Sequence, residues 1–160
     1  MSAFSGFYHL GYVTNDLDRA LASFGSQYGT ARFSEIGQRS FKLDGIAQVE
    51  LRVAMCFVDR TQLEIIQPLG GEDGVYRRAL AGTGYQLRFH HTCFKVESIA
   101  TLEEKRRSLV ASGHKIVLSG GDHENASYFY ADATDGLGHH LEYLYLSPSR
   151  AAFHAALPSN

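Results

Sequence analysis

The sequence predicts an α+β fold made of two copies of one β-α-β-β-β unit, and three observations predict it. First, His9-Leu-Gly-Tyr-Val13 with Asn15-Asp16-Leu-Asp-Arg-Ala-Leu21 recurs 82 positions later as His91-Thr-Cys-Phe-Lys-Val96 with Glu97-Ser98-Ile-Ala-Thr-Leu102. Each copy is a short strand opening on a histidine, then a polar cap, then an amphipathic helix. Second, each half ends on a similar strand, Gln62-Leu-Glu64-Ile-Ile-Gln67 or His140-Leu-Glu142-Tyr-Leu-Tyr145. Third, the histidine-to-glutamate gap is 55 residues in one half and 51 in the other, so the halves match in length as well as in order.

The elements follow in order. In the first helix Leu17, Ala20, Leu21, Phe24 and Tyr28 fall at helical spacing, with Asp16 as N-cap and Gly29 as stop. Two strands are expected next, at about 30–37 and 48–58, the second because Val49-Glu-Leu-Arg-Val-Ala-Met-Cys-Phe-Val58 alternates. A linker over about 69–86 is Gly-rich at both ends and predicts a short helical turn near Val75–Leu80. The second helix takes Ser98 as cap, Ile99, Leu102, Leu109 and Val110 as apolar positions, and Gly113 as stop. Strands at about 114–119 and 126–131 precede the final one. The whole chain, 1–160, is expected to be a single domain, with module one at about 7–68, module two at about 87–146 and a tail at 147–160. The tail forms a short helix at about 150–156 or frays.

Composition narrows the function classes. The chain is 44% hydrophobic and 20% charged with a formal charge of −2, ordinary for a soluble globular protein. No basic patch points to nucleic acid or an anionic membrane; Lys105-Arg106-Arg107 reads as a solvated helix face. No apolar run is long enough to span a bilayer, and the first residues do not read as a signal peptide. Cys56 and Cys93 lie in apolar strands without CxxC spacing and are expected to be buried free thiols, so a cytoplasmic location is expected.

Strand parity locates the chemistry. His9, Gly11 and Val13 share one face of their strand, and His91 shares a face with Cys93; Tyr8, Leu10 and Tyr12, like Thr92 and Phe94, point the other way, toward the helices. Small residues beside each histidine leave open space, which suits a cup holding a ligand. Glu64 and Glu142 sit in apolar strands, where an ionised carboxylate must be paired, protonated or metal-bound. Two imidazoles and two carboxylates form an N2O2 set that neutralises one divalent ion (Zn, Ni, Co, Mn or Fe) and leaves two octahedral positions for water or a bidentate substrate. The expected metal ligands are therefore His9, Glu64, His91 and Glu142. His140 shares the face of Glu142 and is a substrate-binding candidate, as are Glu50 and Arg52 on a strand of the cup. His90 and His139 have the opposite parity and are expected to be ordinary; His114, His123 and His154 read as loop or surface residues.

Over residues 7–146 the sequence resembles the vicinal oxygen chelate superfamily, the glyoxalase, bleomycin-resistance and extradiol-dioxygenase group. The motifs are His9-Leu-Gly-Tyr-Val, Gln62-Leu-Glu64-Ile-Ile-Gln-Pro68, His90-His91-Thr-Cys-Phe-Lys-Val96 and Asp135-Gly-Leu-Gly-His-His-Leu-Glu142-Tyr. The resemblance implies two βαβββ modules forming an incomplete, cup-shaped mixed β-barrel with helices outside. The run from Glu64 through Tyr76-Arg-Arg-Ala-Leu80 to His91 looks most like methylmalonyl-CoA epimerases, and the His/Glu/His/Glu set is similar to that of bacterial glyoxalase I. Tyr128 through His140 departs from the epimerase-like ending. The resemblance implies a lyase or an isomerase (epimerase) moving a proton α to a carbonyl of a small metabolite or thioester. Glu142 is then the first catalytic base, with Glu64 opposite it, and a homodimer is expected. An Fe(II) extradiol-type dioxygenase would need only His9, His91 and Glu142. A resistance-type protein would use the cup to bind a small molecule without turnover.

Overall fold

A computed structural model describes residues 5–30, 32–44, 47–122 and 124–160. The first half contains β1 (Phe7–Thr14), α1 (Leu17–Tyr28), β2 (Ser34–Lys42), β3 (Gln48–Val58) and β4 (Thr61–Gly71). The connection carries α2 (Gly74–Arg77) and a 3₁₀ turn (Arg78–Leu80), where a helical turn is expected. The second half contains β5 (Leu87–Val96), α3 (Ile99–Ala111), β6 (Ile116–Gly121), β7 (Ala126–Ala131), α4 (Thr134–Leu137) and β8 (His140–Leu146), followed by α5 (Pro148–Ala155). The caps form as the sequence predicts. Asp16 accepts from the Arg19 amide, Ser98 accepts from the Thr101 amide, and Gly29 ends α1 at φ 69°. Such a cap is worth about 1 kcal/mol.

All eight strands join one mixed sheet in the order β2-β3-β4-β1-β5-β8-β7-β6. The central pair, β1 and β5, is antiparallel, and each is flanked by a parallel neighbour, β4 beside β1 and β8 beside β5. The histidine strand and the glutamate strand of each half therefore lie side by side, and the two halves meet histidine strand to histidine strand. Gly11 stands opposite Glu64 across β1/β4 and opposite His91 across β1/β5; Cys93 stands opposite His9 and Glu142.

The β1/β5 ladder is broken twice. Phe7 pairs with Phe94 and His9 with Cys93, leaving Tyr8 as an extra residue; Gly11 pairs with His91 and Tyr12 with Phe89, leaving His90 as an extra residue. Bulges re-aim side chains, and these two occur at equivalent positions, each just before a histidine of the repeat. They overturn the parity assignment for both residues: Tyr8 packs with Cys93, Leu144 and Leu146 instead of under α1, and His90 is buried against His91.

The sheet curls into an incomplete barrel with helices outside. One apolar cluster fills the cup, with Val13, Leu51, Val53, Met55, Ile66, Tyr76 and Tyr130 among its members. On the convex side Leu17, Ala20 and Phe24 of α1 cover Ala54, Cys56, Leu63 and Ile65, while Leu102 of α3 covers Phe129 and Ala131. Each fully buried large aliphatic contributes about 1.5–3 kcal/mol. Both cysteines are free and buried. At one place the edge strands touch: Leu43, just after β2, bridges Gly120 of β6, and the Asp44 amide donates to Ser119 O at 3.0 Å.

Some expectations are corrected. The strand placed at about 30–37 begins only at Ser34 and runs to Lys42. Tyr28 and Val110, given to the buried helix faces by spacing, are exposed because each lies at the end of its helix, past the reach of the sheet. The tail is anchored: the Phe57 amide donates to Pro158 O at 2.7 Å and the Asn160 amide to Phe57 O at 2.9 Å. No helix among the described residues is long and apolar enough to cross a membrane.

Candidate metal centre

His9, Glu64, His91 and Glu142 converge at the floor of the cup, with one donor atom from each within 4.8 Å of all the others. All four come from one chain, two from each half. The Nε2 atoms of His9 and His91 are 2.9 Å apart. Glu142 Oε2 lies 3.0 Å from His9 Nε2 and 3.1 Å from His91 Nε2. Glu64 Oε2 stands slightly further off, at 3.6 and 3.5 Å. Gly11 is what lets His91 reach the cluster, since a Cβ there would lie 1.9 Å from the ring. The space expected beside the histidine is thus filled by the histidine from the other half.

The outer hydrogen bonds fix how each imidazole faces its partners. His90 Nε2 is 3.3 Å from Val75 O, and a carbonyl only accepts, so that nitrogen carries hydrogen. His90 Nδ1 is then the acceptor for His91 Nδ1–H at 2.9 Å, which leaves the lone pair of His91 on Nε2, aimed at the cluster. On the other side His9 Nδ1 donates to Gln62 Oε1 at 3.2 Å. The Gln62 amide nitrogen donates to His154 Nδ1 at 3.3 Å, and Tyr8 OH donates to the same atom at 3.2 Å. His9 Nε2 therefore also presents a lone pair. Two nitrogen lone pairs and two carboxylate oxygens at this spacing repel one another unless a proton or a cation sits among them. Glu142 Oε2 is buried without a hydrogen-bond donor of its own.

The electrostatics agree. Burial works against charge on His91, but Glu142 and then Glu64 override it and push its pKa up to about 9. Burial alone would raise the Glu142 carboxyl, yet His9 and His91 hold it well below the usual carboxylate range. His91 thus retains its proton where no metal replaces it. His90 and His154 go the other way, chiefly through burial: His90 falls well below 6.5 and His154 to about 4, so both stay neutral and able to accept.

The donor set fits a divalent metal. Ligands about 2.1 Å from one ion lie about 3 Å apart when adjacent, close to the separations of 2.9–3.6 Å observed among these atoms. His9, Glu64 and Glu142 also line a cavity of about 460 Å³ that rises through the cup.

The other sequence-predicted residues are distributed differently. His140 does not line the cavity; it stands behind His90, ring centroids 4.9 Å apart, with its Nδ1 3.6 Å from Asp132 Oδ1. Arg52 is turned to the convex side, pairing with Asp18 and Glu35 at 3.1 Å each, so it is no substrate ligand inside the cup. Glu50 shares its parity and lies beside Gly70, also off the cavity; Leu51, Val53 and Met55 take the inward positions. His139 is half-buried, with Nε2 3.3 Å from Thr92 Oγ1, and His114 is half-buried beside Ser112. His123 lies outside the described residues. His154 is not the loop or surface residue its sequence context predicts: α5 carries it into the cavity wall, buried against Tyr8 and Gln62. Gln62, two residues before Glu64 and fully buried, links His154 to His9.

The comparisons with known proteins agree with this architecture. A crystal structure of methylmalonyl-CoA epimerase from Mycobacterium tuberculosis superposes with a TM-score of 0.60 at 19% identity, covering 95% of this chain and 97% of that one. A variant of the Streptomyces coelicolor methylmalonyl-CoA epimerase bound to 2-nitronate-propionyl-CoA gives 0.58 at 16% identity, covering 89% and 98%. A hypothetical protein from Bacillus halodurans gives 0.55 at 14%, covering 88% and 94%. At such identities the likeness concerns the fold. A search of curated proteins finds no match. Residues 8–131 match the family described as the glyoxalase/bleomycin resistance protein/dioxygenase superfamily, and the chain belongs to that family.

Proposed function

We propose that the protein is a divalent-metal enzyme, a lyase or an isomerase, that moves a proton on the carbon next to a carbonyl of a small metabolite or thioester. The observation that carries this reading is the convergence of two imidazole lone pairs and two carboxylates beside a cavity that the cup leaves open. His9, His91, Glu64 and Glu142 would hold the ion. When bound, the ion supplies positive charge beside two neighbouring substrate oxygens, where negative charge develops as the proton leaves. The chain's own residues do the rest. Glu142, flanked by both histidines, is the first candidate to take the proton; Glu64, further from the imidazoles and lining the same cavity, is the candidate to return it. The apolar side chains beside them lower the polarity around the reacting carbon.

Glu64 also bears on the alternatives. An extradiol-type site needs only His9, His91 and Glu142, and a second carboxylate in the cluster adds negative charge where oxygen would bind. A resistance-type binding protein has no use for four converging donors.

The test is solvent exchange. Metal-loaded protein in D2O exchanges the α-proton of a trial α-keto thiol or acyl thioester. Glu142→Gln lowers that exchange by about 100-fold or more, in the range of a lost general base. Exchange retained in Glu142→Gln and lost in Glu64→Gln moves the base to Glu64. Retention in both variants overturns the proposal.

A further inference from the structure

We propose that the substrate has an apolar, aromatic-sized body with a single carboxylate at the end away from the metal. This rests on the metal-centre reading above and names the substrate class of that same site. A molecule chelated between Glu64 and Glu142 has to extend into the cavity that both residues line. The inward positions that flank it are Leu51, Val53 and Met55 on β3, Ile66 on β4, and Leu144 and Leu146 on β8. On β4 and β8 they directly follow each glutamate at strand period two, so the wall turns apolar one step beyond the centre. A sugar, or a chain of hydroxyls, would leave its polar groups unpaired against these side chains, at a cost that an aromatic or branched hydrocarbon body avoids.

The charge on the cavity is also distributed. The two carboxylates of the centre are matched by the ion. Beyond them the cationic side chains lining the cavity are Lys42, at the end of β2, and Arg150, in α5. Among the described residues neither is ion-paired with a carboxylate, and the Arg150 guanidinium lies 4.6 Å above the Phe153 ring. Asp122 also lines the cavity and keeps its negative charge, its oxygens accepting from the Asn125 amide, the Asn125 side chain and the Ala126 amide at 2.7, 2.8 and 3.3 Å, so the lining beyond the centre carries two cations against one anion. Neutral His154 adds no charge. A ligand reaching past the apolar belt meets two cations that no carboxylate of the described residues pairs with, and a carboxylate is the complement of either.

Hydroxamates test this, because they chelate a metal through two neighbouring oxygens while the body is varied at will. Binding to cobalt-loaded protein is followed by visible absorption and calorimetry for acetohydroxamate, benzohydroxamate, 4-carboxybenzohydroxamate and 4-(aminomethyl)benzohydroxamate. The expected order is benzohydroxamate tighter than acetohydroxamate by about ten-fold or more, as burial of a ring implies. The carboxylate then adds about two- to five-fold, the range of a partly exposed ion pair, and the ammonium group weakens binding. In the Lys42→Gln/Arg150→Gln double variant the carboxylate gain disappears while the preference for the ring persists. Equal affinity for the acetyl and benzoyl probes overturns the apolar body with the metal centre intact. A carboxylate gain that is absent, or that survives the double variant, overturns the anionic end. Loss of perturbation by all four probes on cobalt-loaded protein overturns the chelating centre itself, and this proposal with it.

Discussion

Gly11 and His154 support the same cluster in opposite ways, one by taking up no space and one by supplying hydrogen-bonding capacity. A methyl group at Gly11 would collide with the His91 ring, and the ring is locked on its other side by His90 and, through it, Val75 O. Gly11→Ala is therefore expected to keep its circular dichroism spectrum and lose metal affinity by at least 100-fold in a cobalt or zinc titration. His154 acts through Gln62 on His9. Loss of such outer partners costs about 10–100-fold in affinity, so His154→Phe should fall in that range. His154→Asn, whose amide oxygen accepts in place of Nδ1, should recover part of it; equal affinity in both variants and the wild type would show that the contact only packs. The raised pKa of His91 sets a pH dependence. Its folded value of about 9 lies above the ordinary 6.5, so the stability it gives the metal-free protein is full below about 6.5 and is lost as pH rises through about 9. Metal competes with that proton, so affinity should rise over the same interval, with proton release on binding that calorimetry in buffers of different ionisation enthalpy measures.

At the scale of elements, the repeat was legible because its signals are local. A capped helix after each histidine strand, and a glutamate in each closing strand, can be counted along the chain. What alternation could not reveal are the two bulges, since neither extra residue, Tyr8 or His90, is itself a Gly or Pro that would mark the shift in parity. Tyr8 and His90 were assigned to the wrong face for that reason, although their placement immediately before the repeated histidines shows the irregularity to be part of the repeat. Arg52 and Glu50 failed differently: their strand was recognised, but which of its two faces met the cup depended on its pairing with β4. His154 was hidden because the docking of α5 rests on contacts across the chain, at Tyr8, Gln62 and Phe57, that no local pattern predicts. The seam between β2 and β6 offers a test confined to this scale. A Cβ at Gly120 would stand 2.7 Å from Lys42 O and 2.9 Å from Tyr128 OH. Gly120→Val should destabilise the fold by about 1–3 kcal/mol, the usual cost of overpacking, as read from urea unfolding, with metal stoichiometry unchanged because the cluster lies on β1, β4, β5 and β8.

For the whole molecule, duplication brings the four candidate ligands together within one chain. The central strands each bring one histidine, their parallel neighbours each bring one glutamate, and the interface between the halves is where the four meet. Metal binding should then staple the halves together. A ligand bound at 100 times its Kd stabilises by about 2.7 kcal/mol, which for a chain of this size raises Tm by about 5–10 °C. The most direct measurement is elemental analysis of the protein purified without a chelating column, combined with thermal unfolding before and after adding zinc, nickel, cobalt, manganese and iron(II). The expected result is close to one ion per chain, a rise in Tm with at least one of these metals, and loss of both in His9→Ala and Glu142→Ala. A chain that carries no metal and unfolds at the same temperature with and without every ion would contradict the metal centre.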